Sequence, residues 1–337
     1  MKRLVLLTMI ILILLSACSP QGNENGGDVE NGNDVGSGVE NPVLEFRFRE
    51  GGVYWSTDIT ELSLALREGV DITSLSYFQN LETLGFNGAW QIDDFSTITG
   101  IFDLVEIVSE LPNLRVLWIP DIPIEDLTPL ANLIQLTSLE LMRNGITDIS
   151  PLAQIPQLTE LRIVGNPIQD ISPLARMGLL TDLHLQNTQI QDFSPLEHLT
   201  RLERLSIWQE SGQPLRDLSP LAGLRQLSDL NLQNNEIYDL SPLADLRQLT
   251  YLDLMNNRIH DVSPLAGLTN LEELWLEGNE IHDVSPLARL RNLRMLDVGR
   301  NPVEDLSPVE NMRNLVLNPR SSVQGFPTPP MPPPTAE

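Results

Sequence analysis

Nine aspartates, Asp126, Asp148, Asp170, Asp192, Asp217, Asp239, Asp261, Asp283 and Asp305, recur 22 residues apart, except for one step of 25 between Asp192 and Asp217. A carboxylate column would be calcium chemistry if oxygens converged, because that ion takes about 6 to 8 of them. Each repeat offers one carboxylate at this position, and the Gly-rich nonapeptide of calcium-binding β-rolls is absent. Of the four histidines, His184, His198, His260 and His282, the last two stand one repeat apart, each followed by Asp, so they should stack. Two imidazoles and a carboxylate suit zinc, but solvated turns supply no pocket to hold it. Paired carboxylates divide acid from base work only where burial separates their pKa values. An open sheet gives no such burial. No Gly-x-Ser-x-Gly elbow and no phosphate-cradling loop occurs. These residue types point away from catalysis, and no metal or cofactor is expected.

The aspartates belong to a phrase that returns almost unchanged, as "TDISPLAQI" (147–155), "HDVSPLAGL" (260–268) and "HDVSPLARL" (282–290). The full unit reads "LTELRIVGNPIQDISPL" over 158–174. Leu161 and Ile163, two apart, fall on one face of a short strand. Asn166 stands where the chain turns, with an amide able to serve backbone groups of neighbouring turns. Asn144, Asn235, Asn257, Asn279 and Asn301 repeat it, while Thr188 and Glu210 interrupt the series. Glu210 lies beside the three-residue insertion, which predicts a bulge over Trp208 to Arg216. In the second turn, Ser150 suits an N-cap and Pro151 the first position of a short helix. Asp148 offers an acceptor for the turn backbone, and Leu152 returns to the core.

A period of 20 to 29 with Leu-x-x-Leu-x-Leu is the mark of leucine-rich repeats. The 22-residue unit resembles that of internalin-like bacterial leucine-rich repeat proteins, over residues 59 to 317. The expected fold is an α/β solenoid, a leucine-rich repeat horseshoe with a parallel concave β-sheet and short 3-10 or helical convex turns. Strands should start near Leu62, Leu84, Leu117, Leu139, Leu161, Leu183, Leu205, Leu230, Leu252, Leu274 and Leu296, giving about 11 coils over 62–318. Between Phe95 and Leu114, Ile101, Leu104, Val105 and Val108 share one helical face, which predicts a helical expansion near 96–113. An N-terminal cap over 42–61 reads as a hairpin turning at Gly51 and Gly52. At the other end, "NLVLN" (314–318) reads as a truncated final strand, followed by a Pro-rich disordered tail over 319–337.

The residues flanking each inward Leu face outward. They include Trp118, Met142, Trp208, Tyr251, Met255, Trp275 and Met295 among Glu140, Glu160, Asp182, Asp229, Asp253, Glu273, Glu277 and Asp297, with Arg162 and Arg204 opposing. A strand has no packing need for Trp at such places, and exposed aromatics ringed by polar groups are the composition of interfaces. The reading is a protein partner with a basic surface around an apolar knob, bound on the concave face, as adhesive internalin-like arrays imply by analogy. Two alternatives stay open: glycan or peptidoglycan binding through the concave tryptophans, and a passive envelope scaffold. The array should be a monomer.

The chain opens "MKRLVLLTMIILILLSACSP", two basic residues and an apolar run too short to span a bilayer, which needs about 20 residues. Residues 1–17 read as a signal peptide, and Leu15-Ser16-Ala17-Cys18 resembles the lipobox of bacterial lipoproteins. That resemblance implies a diacylglycerol thioether and an acylated (palmitate-type) amine on Cys18, and so a lipid anchor at the outer membrane or the extracellular face of the cell membrane. An ordinary signal whose cleavage site contains Cys is the alternative. Residues 18–41 form a flexible acidic Gly/Asn-rich linker, reaching about 25 Å. Cys18 is the sole cysteine, so no disulfide is available. With the signal removed, 46 acids face 19 bases, a net charge near -27 that argues against nucleic acid.

Overall fold

The computed structural model describes residues 43–48, 51–56, 58–66, 70–209, 213–313 and 315–317. Two strands at the start, β1 (Val43–Phe48) and β2 (Gly51–Ser56), pair antiparallel. Twelve more follow: β3 (Glu61–Ala65), β4 (Thr83–Asn87), β5 (Val116–Pro120), β6 (Ser138–Met142), β7 (Glu160–Arg162), β8 (Asp182–His184) and β9 (Arg204–Ser206) in the first part. The second part holds β10 (Asp229–Asn231), β11 (Tyr251–Asp253), β12 (Glu273–Trp275), β13 (Met295–Asp297) and β14 (Val316–Leu317). β3 to β14 form one twelve-stranded parallel sheet in chain order, a leucine-rich repeat horseshoe. Eleven strands were expected from the leucines, and the twelfth is the truncated "VL" of the final repeat.

The register is set by burial. Leu62, Leu84, Leu117, Leu139, Leu161 and Leu183 stand side by side, followed by Leu205, Leu230, Leu252, Leu274 and Leu296. All eleven are buried, none more than 5% exposed. Because side chains alternate along a strand, a one-residue slip would turn this whole spine to water. The 25-residue step changes nothing in the sheet, since Arg204 pairs with Asp229 as Asp182 does with Arg204.

The "DxSPL" phrase forms the other turn. Ser150–Gln154 is a 3-10 helix with Pro151 in its first turn. Asp148 accepts the Ser150 backbone N–H at 2.7 Å and the Ser150 hydroxyl at 3.0 Å. The N-cap position falls on Ile149, which has no side-chain bond of its own; the Asp148 carboxylate one residue earlier holds the turn, and the serine expected to be the N-cap is its first residue and a donor. The same backbone bond recurs from Asp126 to Asp305. Backbone and hydroxyl donation from the following serines hold Asp192, Asp217, Asp261 and Asp305 below the usual carboxylate range.

Where the convex turn is expanded, α1 (Leu104–Ser109) buries Leu104, Val105 and Val108, next to Ile101 from the preceding 3-10 turn. Leu104, Val105 and Val108 of the expected face lie on this helix and Ile101 on the turn before it, so the α-helix is shorter than the expansion read over 96–113. The N-terminal hairpin differs in register: Gly51 and Gly52 pair with Phe48 and Arg47, so the glycines are strand residues and the reversal comes two residues earlier. Its tip, Cys18, residues 1–17 and 18–41, Glu210 with most of the insertion, and the tail over 319–337 lie outside the described residues.

The asparagines knit neighbouring coils. Buried Asn166 donates to Leu141 O at 2.8 Å and Ile163 O at 3.1 Å, and accepts from the Asn144 and Ile146 N–H groups. Asn235, Asn257, Asn279 and Asn301 repeat this arrangement. Thr188 only returns a bond to Leu185 O. One residue before each ladder position the backbone is left-handed, at Asp121, Arg143, Gly165, Asn187, Asn234, Asn256, Gly278 and Arg300. Gln209, beside the insertion, departs from that column. At Gly278 a Cβ would come within 2.5 Å of Asn256 Oδ1. Gly278→Ala is expected to lower stability by about 1–2 kcal/mol, read from the urea midpoint; an unchanged midpoint would contradict it.

Candidate binding face

The sheet face opposite the leucine spine carries three outward columns. The central one runs Gly85, Trp118, Glu140, Arg162, His184, Ser206, Asn231, Asp253, Trp275 and Asp297. On one side stand Glu160, Asp182, Arg204, Asp229, Tyr251, Glu273 and Met295. On the other, Met142, Gln186, Trp208, Met255 and Glu277 follow at the repeat spacing. Trp118, Met142, Trp208, Tyr251, Met255, Trp275 and Met295 are all partly exposed here, and none belongs to the core. Glu140, Glu160 and Asp229 are partly exposed and Glu273 is exposed.

Four acids expected to face solvent do not. Asp253 and Glu277 are each 5% exposed, Asp182 2% and Asp297 1%. They stand in the outward columns, but neighbours from adjacent coils cover them. Asp253 accepts the Met255 N–H at 3.0 Å and the Tyr251 hydroxyl at 3.5 Å. Glu277 pairs with Arg300 Nε at 3.1 Å. Burial pushes the Asp253 carboxyl up. Burial, with the charges of Asp253 and Glu273, raises the Tyr251 phenol to about 12, so its hydroxyl stays neutral.

The middle of the face is an ion cluster. Asp182 Oδ2 accepts from Arg204 Nε at 2.5 Å and lies 3.7 Å from Arg162 Nη2, while Oδ1 is 2.9 Å from His184 Nε2. The Gln186 amide nitrogen meets His184 Nδ1 at 3.1 Å and donates to Ser206 Oγ at 2.7 Å. Burial works to raise the Asp182 carboxyl, but the contacts with His184 and Arg204 and the charge of Arg162 outweigh it and hold it at about 2. That depression stabilises the fold above the unfolded carboxylate value near 3.8 and is lost as pH falls towards 2. Screening along an open face limits it to about 1–2 kcal/mol. Asp182→Asn should therefore lose that much stability at pH 6 by urea denaturation, with the gap to wild type closing below pH 4. A gap independent of pH would contradict this.

At the N-terminal end of the face the Trp118 indole lies over Gly85, where an added Cβ would stand 3.0 Å from Cε3. A residue without a side chain is what lets the ring lie against the sheet. Burial pushes neighbouring Glu140 up, against the opposing pull of Arg162, His184 and Trp118. Sequence reasoning missed Gly85, His184, Gln186, Ser206 and Asn231 as parts of this face. Adding 22 to Trp118 and its successors reaches His184 and Ser206, so the signal was in the period. Of the other histidines, His198, His260 and His282 are exposed on turns.

Among the described residues no helix is long and apolar enough to cross a membrane, and no group of three His, Cys, Asp or Glu side chains is placed to hold a metal ion. The family model described as "Leucine Rich repeats (2 copies)" matches residues 134–176, 225–267 and 269–311. Among solved structures, this chain is similar to internalin InlF from Listeria monocytogenes, with 33% identity, 79% of this chain and 82% of that chain covered, and a TM-score of 0.67. It is also similar to internalin C2 from the same organism, at 34% identity, 56% and 82% coverage, and a TM-score of 0.53. The plant peptide hormone receptor RGFR1 in complex with RGF2 shares the fold, at 16% identity, 78% and 47% coverage, and a TM-score of 0.57. Comparison with curated proteins gives no match.

Proposed function

This chain belongs to the internalin-like family of bacterial leucine-rich repeat proteins, and on that premise we propose that it is a lipid-anchored envelope protein that binds a protein partner on its concave face. The observation that carries the reading is the row of partly exposed aromatics, Trp118, Trp208, Tyr251 and Trp275, on the sheet face opposite the leucine spine. The formal charge of -25 and the outward acids make the complementary partner basic. The accessible acids Glu140, Glu160, Asp229 and Glu273 supply a polar rim of the kind such interfaces have. Cys18 is the anchor and residues 18–41 the spacer that lifts the array clear of lipid, with the repeat domain acting as a monomer.

Replacing Trp208, Tyr251 and Trp275 together by Ala should leave the fold intact and abolish the partner contact. A photo-crosslinking residue at position 273 on intact cells reports it: adducts should form there and not from a convex site such as position 289, and vanish in the triple variant. Equal adducts from both sites would end the reading. A glycan array positive for the folded domain, with loss in Trp118→Ala and Trp275→Ala, would favour a carbohydrate instead. For the anchor, Cys18→Ser should abolish incorporation of labelled palmitate and move the protein from the detergent to the aqueous phase; labelling that survives would refute lipidation at Cys18.

A further inference from the structure

Where β9 meets β10 the central column carries two short side chains side by side, Ser206 and Asn231. They floor a hollow of about 350 Å³, flanked by Trp208 in one outer column and Tyr251 in the other, with Gln186, Arg204 and Asp229 on its rim. Its polar groups are unevenly satisfied. Arg204 is already taken by Asp182. Asp229 accepts the Ser228 hydroxyl at 2.5 Å, and no arginine pairs with it among the described residues. Gln186 is 8% exposed, its nitrogen serves Ser206 and His184, and its carbonyl oxygen is buried without a donor.

The hollow thus presents a spare carboxylate, an orphaned buried acceptor and two aromatic rings. All four ask for a flat cation with several N–H groups. A guanidinium is planar, carries five donors and stacks on aromatic faces, whereas an ammonium is a compact, strongly hydrated point charge. An anion would meet Asp229, and the arginine lining the hollow, Arg204, is already paired with Asp182. We infer that this hollow receives an arginine side chain of the protein partner, its guanidinium between Trp208 and Tyr251 with N–H groups toward Asp229 and Gln186 Oε1. The inference rests on the reading of the concave face as a protein-binding surface and names the group that anchors the partner there. The acids Asp253 and Glu273 around Tyr251 extend the attraction beyond the hollow itself.

The test uses the ¹⁵N-labelled full chain carrying Cys18→Ser, with N-acetyl-arginine methylamide as probe and the citrulline analogue, of the same shape but uncharged, as control. The indole N–H signal of Trp208 should move on titration with arginine, and affinity for citrulline should be about tenfold lower or less, the loss of one charge-assisted hydrogen bond. Asp229→Asn should weaken arginine binding by a similar factor while leaving the other indole signals in place. Equal binding of citrulline, indifference to Asp229→Asn, or no shift of Trp208 would overturn the assignment. Shifts centred on Trp118 or Trp275 would also overturn it, yet would leave the concave face as the docking surface; that broader reading falls only if the crosslinks from position 273 fail.

Discussion

Leu274→Ala is expected to cost about 3–4 kcal/mol of folding free energy, whereas Trp275→Ala, one residue along the same strand and a larger truncation, should cost about 1 kcal/mol or less. Leu274 is 0% exposed and stands between Leu252 and Leu296, so its removal opens a void that neighbouring coils cannot fill without bending the sheet. Trp275 lies on the other face, partly exposed, with an indole N–H that has no acceptor. Taking it away relieves that donor. Urea midpoints of the two variants measure the difference directly, and equal losses would mean that the strand register is off by one. The asymmetry is also what makes the face usable, since side chains there can change for a partner without weakening the spine.

The second large effect is expected at the ladder. Asn257 is 7% exposed; its amide donates to Leu232 O and Leu254 O, each at 3.0 Å, and accepts from the Ile237 N–H at 3.1 Å. Alanine leaves the buried Ile237 N–H without its acceptor and takes one of two donors from each carbonyl, since Leu232 O still accepts from Asn235 and Leu254 O from Asn279. One unsatisfied buried donor together with two weakened carbonyl contacts costs about 2–3 kcal/mol. Asn301→Ala, in the last coil and only partly buried, should cost less, because repeat arrays fray from their ends. Calorimetric unfolding would show a clear drop in Tm for the first variant and a smaller one for the second. Similar small shifts for both would show that the ladder does not carry the coupling between coils.

Much of this architecture was legible in the chain. Leu161 and Ile163 two apart, Asn166 three further on, and Asp170 ahead of Ser172-Pro173 each specify a local geometry that 22 residues later is specified again. Repetition turns weak local signals into a firm one, because stacked coils must agree in register. The helix over Leu104–Ser109 was legible from a different signal, since Leu104, Val105 and Val108 are spaced for one helical face. Single-residue choices were less so. Nothing in "REGGVY" says that Gly51 and Gly52 enter the ladder instead of turning it, and either Asp148 or Ser150 has the chemistry to cap the turn.

The period by itself determined which side chains form the spine and which face outward, since alternation along a strand and equal coil lengths leave no other way to bury every leucine. Only the tertiary structure decided what the outward residues do. Asp182 became the centre of an ion cluster, Asp253 and Glu277 sank beneath their neighbours, Trp118 settled on Gly85, and a hollow opened over Ser206 and Asn231. Each outcome depends on side chains a full coil apart in sequence and about 5 Å apart in space, where they compete for the same solvent and the same hydrogen-bond partners. That competition is invisible to any one coil read alone.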